Sequence, residues 1–150
     1  MNYWQHFMFS NAALVVFAIM CASLKWQWVS AFTLFSFMSA SSYADTDLKL
    51  DMHRHWFFHS SAPCAILLGC LILVPVTSVR DIMGVAFFCM SHGVHLLCDI
   101  KIGRAGKRGT YLIYLVKRNR LSVKQTDACL FWHGLASACL AVALALVANI

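Results

Sequence analysis

The stretch ACLFWHGLASACLAVALALVANI, residues 128–150, contains one histidine and no acidic or basic residue. A helix crosses a hydrocarbon core of about 30 Å with about 20 apolar residues, so this stretch suffices alone. Working back toward the N-terminus, residues 82–98, 56–79, 28–43 and 6–24 are apolar as well. Stretch 28–43 is short and broken by serines, and 56–79 holds Pro63 near its start and Pro75 near its end. The chain is 61% hydrophobic and 12% charged, where a soluble domain carries about a quarter charged residues. A domain of 150 residues has too little interior to hide that apolar surface from water. The sequence therefore predicts a single all-α membrane domain over 1–150, a polytopic bundle of about five transmembrane helices with cytoplasmic loops.

Charge gives the bundle a direction. The formal charge is +6, and eight of the twelve basic residues lie between Asp99 and Asp127: Lys101, Arg104, Lys107, Arg108, Lys117, Arg118, Arg120 and Lys124. The positive-inside rule puts that loop in the cytoplasm. Counting back through alternating spans, residues 44–55 and the N-terminus are cytoplasmic too, while Lys25, Arg80-Asp81 and the C-terminus face out. The first six residues carry no Lys or Arg, so stretch 6–24 reads as an uncleaved span rather than a signal peptide. Basic residues strung between spans do not form a nucleic-acid face, and the expected partners are membrane lipids. Within the loop, KIGRAGKRGT (residues 101–110) alternates glycine with cations. Backbone of that kind approaches an anion closely, making Lys101, Arg104, Lys107 and Arg108 candidate anion-binding residues. A plain positive-inside loop fits the same composition. YLIYLV after it, residues 111–116, is too short to span. The seven cysteines are scattered without a CxxC pair and read as small core residues; Cys98 stands apart because it adjoins Asp99.

The chain has no glutamate, and its acids are six aspartates. Asp45, Asp47 and Asp51 follow the second span in DTDLKLD. His53, His55 and His59 open the third in HRHWFFHS, and His92, His95 and Asp99 close the fourth in HGVHLLCD. On the orientation above, all seven histidines fall near the cytoplasmic face, together with Asp45, Asp47, Asp51 and Asp99. At about 100° per residue, His92, His95 and Asp99 share a sector of about 60° on one helix, and His55 and His59 share a face. Imidazole with carboxylate suits zinc, manganese or iron, and such groups at membrane depth are costly unless paired or coordinated. His92, about 10 Å along the helix from Asp99, reads either as a ligand or as a residue that orients one. A purely structural polar network and an ion pathway are the competing readings. His6 and His133 read as interfacial hydrogen-bonding residues outside the cluster.

At these residues the sequence resembles the membrane-bound metal-dependent hydrolase family, small polytopic inner-membrane proteins of bacteria and archaea. The resemblance lies in D-x-D at Asp45-Thr46-Asp47, in His53-Arg54 with His59-Ser60, and in H-L-L-x-D from His95 to Asp99. A basic, glycine-containing stretch follows, as in the family. Ala44 stands where the family has proline, and the H-R…H-S segment is one residue shorter, so His53 and His55 compete for the first histidine role. Trp56, Phe57 and Phe58 replace small or hydroxylated residues there.

The resemblance implies a hydrolase at the cytoplasmic membrane face, in a multi-pass inner-membrane protein with its N-terminus inside. Asp45, Asp47, His59, His95 and Asp99, with His92 as a further candidate, would hold one or two divalent cations, zinc first and manganese or iron as alternatives. Arg54, with His53 or His55, would complete the catalytic set, and the loop cations would hold a headgroup. The expected substrate is a lipid, a lipid-linked phosphoester or a phosphorylated small molecule. Neither G-x-S-x-G nor H-E-x-x-H occurs, which removes the common serine-hydrolase and zincin patterns. The alternative class is non-enzymatic: a metal sensor or transporter, or an accessory interaction subunit. A transporter needs polar residues along a path, and the outer half supplies only Lys25, Arg80 and Asp81.

Overall fold

A computed structural model of the chain describes residues 55–74, 78–102 and 121–148, most positions from 8 to 19, Tyr43, and a short strand pair. The described positions from 8 to 19 are helical. Three helices follow: α1 (Ala62–Leu73), α2 (Val79–Ile102) and α3 (Val123–Val147). Between α2 and α3, β1 (Leu112–Ile113) pairs antiparallel with β2 (Asn119–Arg120), Leu112 opposite Arg120 and Ile113 opposite Asn119. The architecture is helical, as composition predicts.

Helix boundaries follow local chemistry more closely than hydropathy. α2 starts at Val79 because Ser78 and Asp81 close a reciprocal cap: the Asp81 amide donates to Ser78 Oγ (3.2 Å), and the Ser78 amide to Asp81 Oδ2 (3.1 Å). Arg80-Asp81, expected as a connection, is therefore the first turn of the helix. At its other end α2 runs on through Ile102, so Lys101 belongs to a helical last turn, where the helix dipole favours a cation. α3 begins at Val123, five residues before the expected start, because Ser122 and Gln125 form a capping box. α1 is the larger departure. It has 12 residues where 56–79 was expected. Its start is delayed by the turn at residues 55–61, and Pro63 suits a first helical turn. It stops at Leu73 because Val74 precedes Pro75 and takes extended backbone (φ −83°, ψ 119°).

Two of the expected spans are thus helices long and apolar enough to cross a membrane, α2 over Val79–Ile100 and α3 over Val123–Val147. The described part of the third is the short α1. Most of the first, and all of the second but Tyr43, lie outside the described residues.

α2 is the central helix, with no exposed residue from Asp81 to Ile100. α3 packs antiparallel to it through a stripe that repeats every three or four residues: Thr126, Leu130, Gly134, Ser137, Ala141, Leu144 and Ala145. Small residues dominate the stripe, as at helix contacts within membranes. The opposite face of α3 is also apolar yet exposed, with Phe131 44% and Trp132 65% accessible, and with Leu135, Val142 and Leu146 beside them. Such a surface suits lipid as its solvent. One core cluster, around Met83, Phe87, Cys89 and Leu144, joins α2 to α1, α3 and Phe17. A second, smaller one sets Leu96 against Leu130, Trp56, Ile100 and Leu121. The polar residues gather at the end of α2 occupied by the second cluster. Cys64 and Cys89 are buried as expected, but Cys70 and Cys139 are exposed on outward faces.

Candidate metal centre

The last turns of α2 supply His92, His95 and Asp99, and the turn before α1 supplies His59. That turn is built by its own backbone: the amides of Phe58 and His59 both donate to the His55 carbonyl, at 3.1 Å each. Phe57 N–H reaches back to His55 Nδ1 at 3.3 Å, and Ala62 N–H donates to Ser60 Oγ at 3.2 Å. One long-range bond pins the turn to α2. His92 Nε2 and the Ser60 carbonyl oxygen lie 2.7 Å apart in a buried setting. A carbonyl can only accept, so Nε2 carries the proton and Nδ1 of the neutral ring presents a lone pair.

This pin places His59 over α2. Its Nε2 lies 3.3 Å from Asp99 Oδ2, and His95 Nε2 lies 3.8 Å from the same oxygen. The two imidazole rings meet edge to face at 6.1 Å. One ligand atom from each of the three residues falls within 4.8 Å of the others, with both histidines buried. His59, His95 and Asp99 could hold a metal ion. Tetrahedral zinc with bonds of about 2.0–2.1 Å sets its ligand atoms about 3.4 Å apart, close to the two separations found. Two imidazoles and one carboxylate also form a donor set of catalytic zinc sites, which leave the fourth position open.

The other candidates divide. His92 is not one of the three converging donors. Its ring stacks on Phe88 (6.0 Å, 14°) and meets Tyr43 at 6.4 Å. Its Nδ1 is buried with no hydrogen-bond partner among the described residues. A ring whose other N–H is spent on a backbone carbonyl is arranged as metal-ligating histidines are, so both roles considered for it remain consistent with its place. His55 and His59 lie on a turn rather than in a longer helix, and the His55 carbonyl and Nδ1 organise that turn. Asp45, Asp47, His53, Arg54, Arg104, Lys107 and Arg108 lie outside the described residues, and only the backbone of Lys101 is described. His133, set apart as a hydrogen-bonding residue, does bond: its Nδ1 is 3.0 Å from Ser61 Oγ. Of the two serines here, Ser60 belongs to the His59-Ser60 pair of the resemblance, whereas Ser61 had no expected role. Ser60 and Ser61 tie the turn to α2 and α3, and their position ahead of Pro63 is a signal of that role.

The His92–Ser60 bond makes a prediction of its own. His92→Ala leaves a buried carbonyl without its donor, which costs about 1–3 kcal/mol. Thermal unfolding of the purified protein in detergent should show the loss. A variant that melts with the parent would mean that the bond holds nothing in place.

The chain matches no protein-family model, no curated protein and no solved structure.

Proposed function

We propose that the chain is a multi-pass protein of the inner membrane of a bacterium or archaeon, with about five spans and its N-terminus in the cytoplasm. On this reading it is a metal-dependent hydrolase acting at the cytoplasmic face on an ester in a lipid or lipid-linked phosphate. The observation that carries the reading is the convergence of His59, His95 and Asp99 from separate parts of the chain upon one buried point. The resemblance to membrane-bound metal-dependent hydrolases supports it through the same three residues.

A divalent cation at this point, zinc first and manganese or iron as alternatives, supplies Lewis acidity and water activation at neutral pH. The residues of the chain do the rest. Asp99 would offset cationic charge, and the two imidazoles would serve as nitrogen donors. His92 holds Ser60, and through it His59, in register with α2. Arg54 would steady negative charge developing on the substrate, and Lys101, Arg104, Lys107 and Arg108 would hold an anionic headgroup.

Zinc-loaded protein should release fatty acid or phosphate from lipid esters in mixed micelles. A chelator should abolish the release, and Asp99→Asn should lower it by about two orders of magnitude or more. Release that survives both would overturn the hydrolase reading. The transporter alternative has less support. Toward the start of α2 the buried described side chains, Met83, Ala86 and Phe87, are apolar. Uptake of zinc by vesicles containing the protein, with no hydrolysis, would favour it instead.

A further inference from the structure

Beside the candidate metal centre, between the start of α1 and the first turns of α3, lies a half-open pocket of about 390 Å³. Its walls include Trp56, Ala62, Leu121 and Cys129, and its polar end is Ser60, Ser61 and His133. The volume equals about thirteen water-sized groups at roughly 30 Å³ each, within the usual range for small-molecule sites. Ser61 shows how the polar end is built. It occupies the N-cap position of α1 but makes no capping bond with its side chain. Its hydroxyl is held instead by His133 across the pocket at 3.0 Å.

We propose that this pocket takes one hydrocarbon chain of a membrane phospholipid, with the ester end of the chain at Ser61 and His133. Three observations point to that occupant. The walls away from the polar end are apolar and aromatic. On α3, Trp132 lies beside the lining residues Cys129 and His133 and is 65% exposed, so an apolar side chain borders the mouth. The floor is shared with the second core cluster, where Trp56 packs on Leu96 and Leu130; Leu96 adjoins His95. Ser60 at the polar end directly follows His59, so a bound chain would bring its ester next to the metal donors. That last step, which makes the chain part of the substrate, rests on the hydrolase reading. Binding of the chain does not.

The test uses Trp56 as reporter. With Trp4, Trp26, Trp28 and Trp132 replaced by Phe, Trp56 is the sole tryptophan of the full chain. The protein is reconstituted into phosphatidylcholine vesicles with or without bromine on the acyl chains, which quenches an indole in contact. Brominated chains should quench Trp56 at least twofold. Cys129→Phe and Ala62→Leu, which narrow the pocket from opposite walls, should each remove half or more of that quenching. If one variant fails to fold, the other decides. Equal quenching in the parent and the narrowed variants would overturn the proposal, because Trp56 would then meet lipid outside the pocket. Strong quenching by aqueous acrylamide in place of bromolipid would overturn it too, since the pocket would hold water. His95→Ala with Asp99→Ala in the same reporter should leave the bromolipid result unchanged while metal content falls. Absence of metal from the parent would defeat the hydrolase reading and leave the lipid site standing.

Discussion

Purified protein carrying His95→Ala and Asp99→Ala should retain about a tenth or less of the zinc bound by the parent, measured by elemental analysis after exhaustive dialysis. Disturbing a residue that merely orients a ligand already costs about 10–100-fold in metal affinity. Here two of the three donors found among the described residues are removed, and both lie on one helix, four residues apart. His59 alone, on the turn before α1, cannot supply a second bond. Removing the carboxylate also removes the only anion in the group, which matters most where burial excludes water. His59→Ala should fall between the parent and the double variant, because the pair on α2 survives. His55→Ala is the control. It lies four residues from His59 yet outside the converging group, so its metal content should match the parent's. Equal metal in the double variant and the parent would remove the site. Equal loss in His55→Ala and His59→Ala would show that folding of the turn, rather than coordination, is being measured.

That control exists because the chain from His55 to His59 is a turn. Spacing of four put His55 and His59 on one helical face, and the chain there is a turn. Hydropathy could not reveal this, since Trp56, Phe57 and Phe58 are as apolar as a helix interior. The polar signal for a late helix start was Ser60-Ser61 ahead of Pro63. By contrast His95 and Asp99 needed only the helical period, and α2 is a helix over the whole interval. Their relation to each other was therefore legible, while their relation to His59 was legible only as proximity to one membrane face. What closes the distance is a side chain bonding a backbone carbonyl, His92 to Ser60. No periodicity encodes that bond.

The helices show the same division. Long uncharged stretches marked α2 and α3 because length and apolarity are additive properties of composition. Their ends were misplaced by a few residues where Ser78-Asp81 and Ser122-Gln125 build caps, each a local exchange of two hydrogen bonds. α1 was overestimated twofold because hydropathy counts the turn at its start and cannot weigh the constraint that Pro75 places on Val74.

Gly93→Ala should destabilise the protein by about 1–3 kcal/mol, the range for forcing volume into a packed interface. A Cβ built at Gly93 would sit 2.7 Å from the Gly134 carbonyl oxygen and 2.9 Å from the Ala138 nitrogen. Both are backbone atoms, so relief requires α2 and α3 to separate. Gly134→Ala should cost less. Its Cβ meets Leu97 Cγ at 2.8 Å and the Gly93 oxygen at 3.0 Å, and the leucine can turn aside. Gly69→Ala completes the series with the opposite sign, because nothing lies within 4 Å of its Cβ. There the gain in helix propensity, about 0.5–1 kcal/mol, stands unopposed. Thermal unfolding in detergent should therefore order the three as Gly69→Ala above the parent, then Gly134→Ala, then Gly93→Ala. Gly93 also lies between His92 and His95, so a displaced α2 carries both the pin to Ser60 and a metal donor with it. Gly93→Ala should lose zinc affinity as well as stability, whereas Gly69→Ala should change stability alone. Full metal content in a destabilised Gly93→Ala would show that the donors on α2 tolerate the shift, and that the close crossing serves packing only.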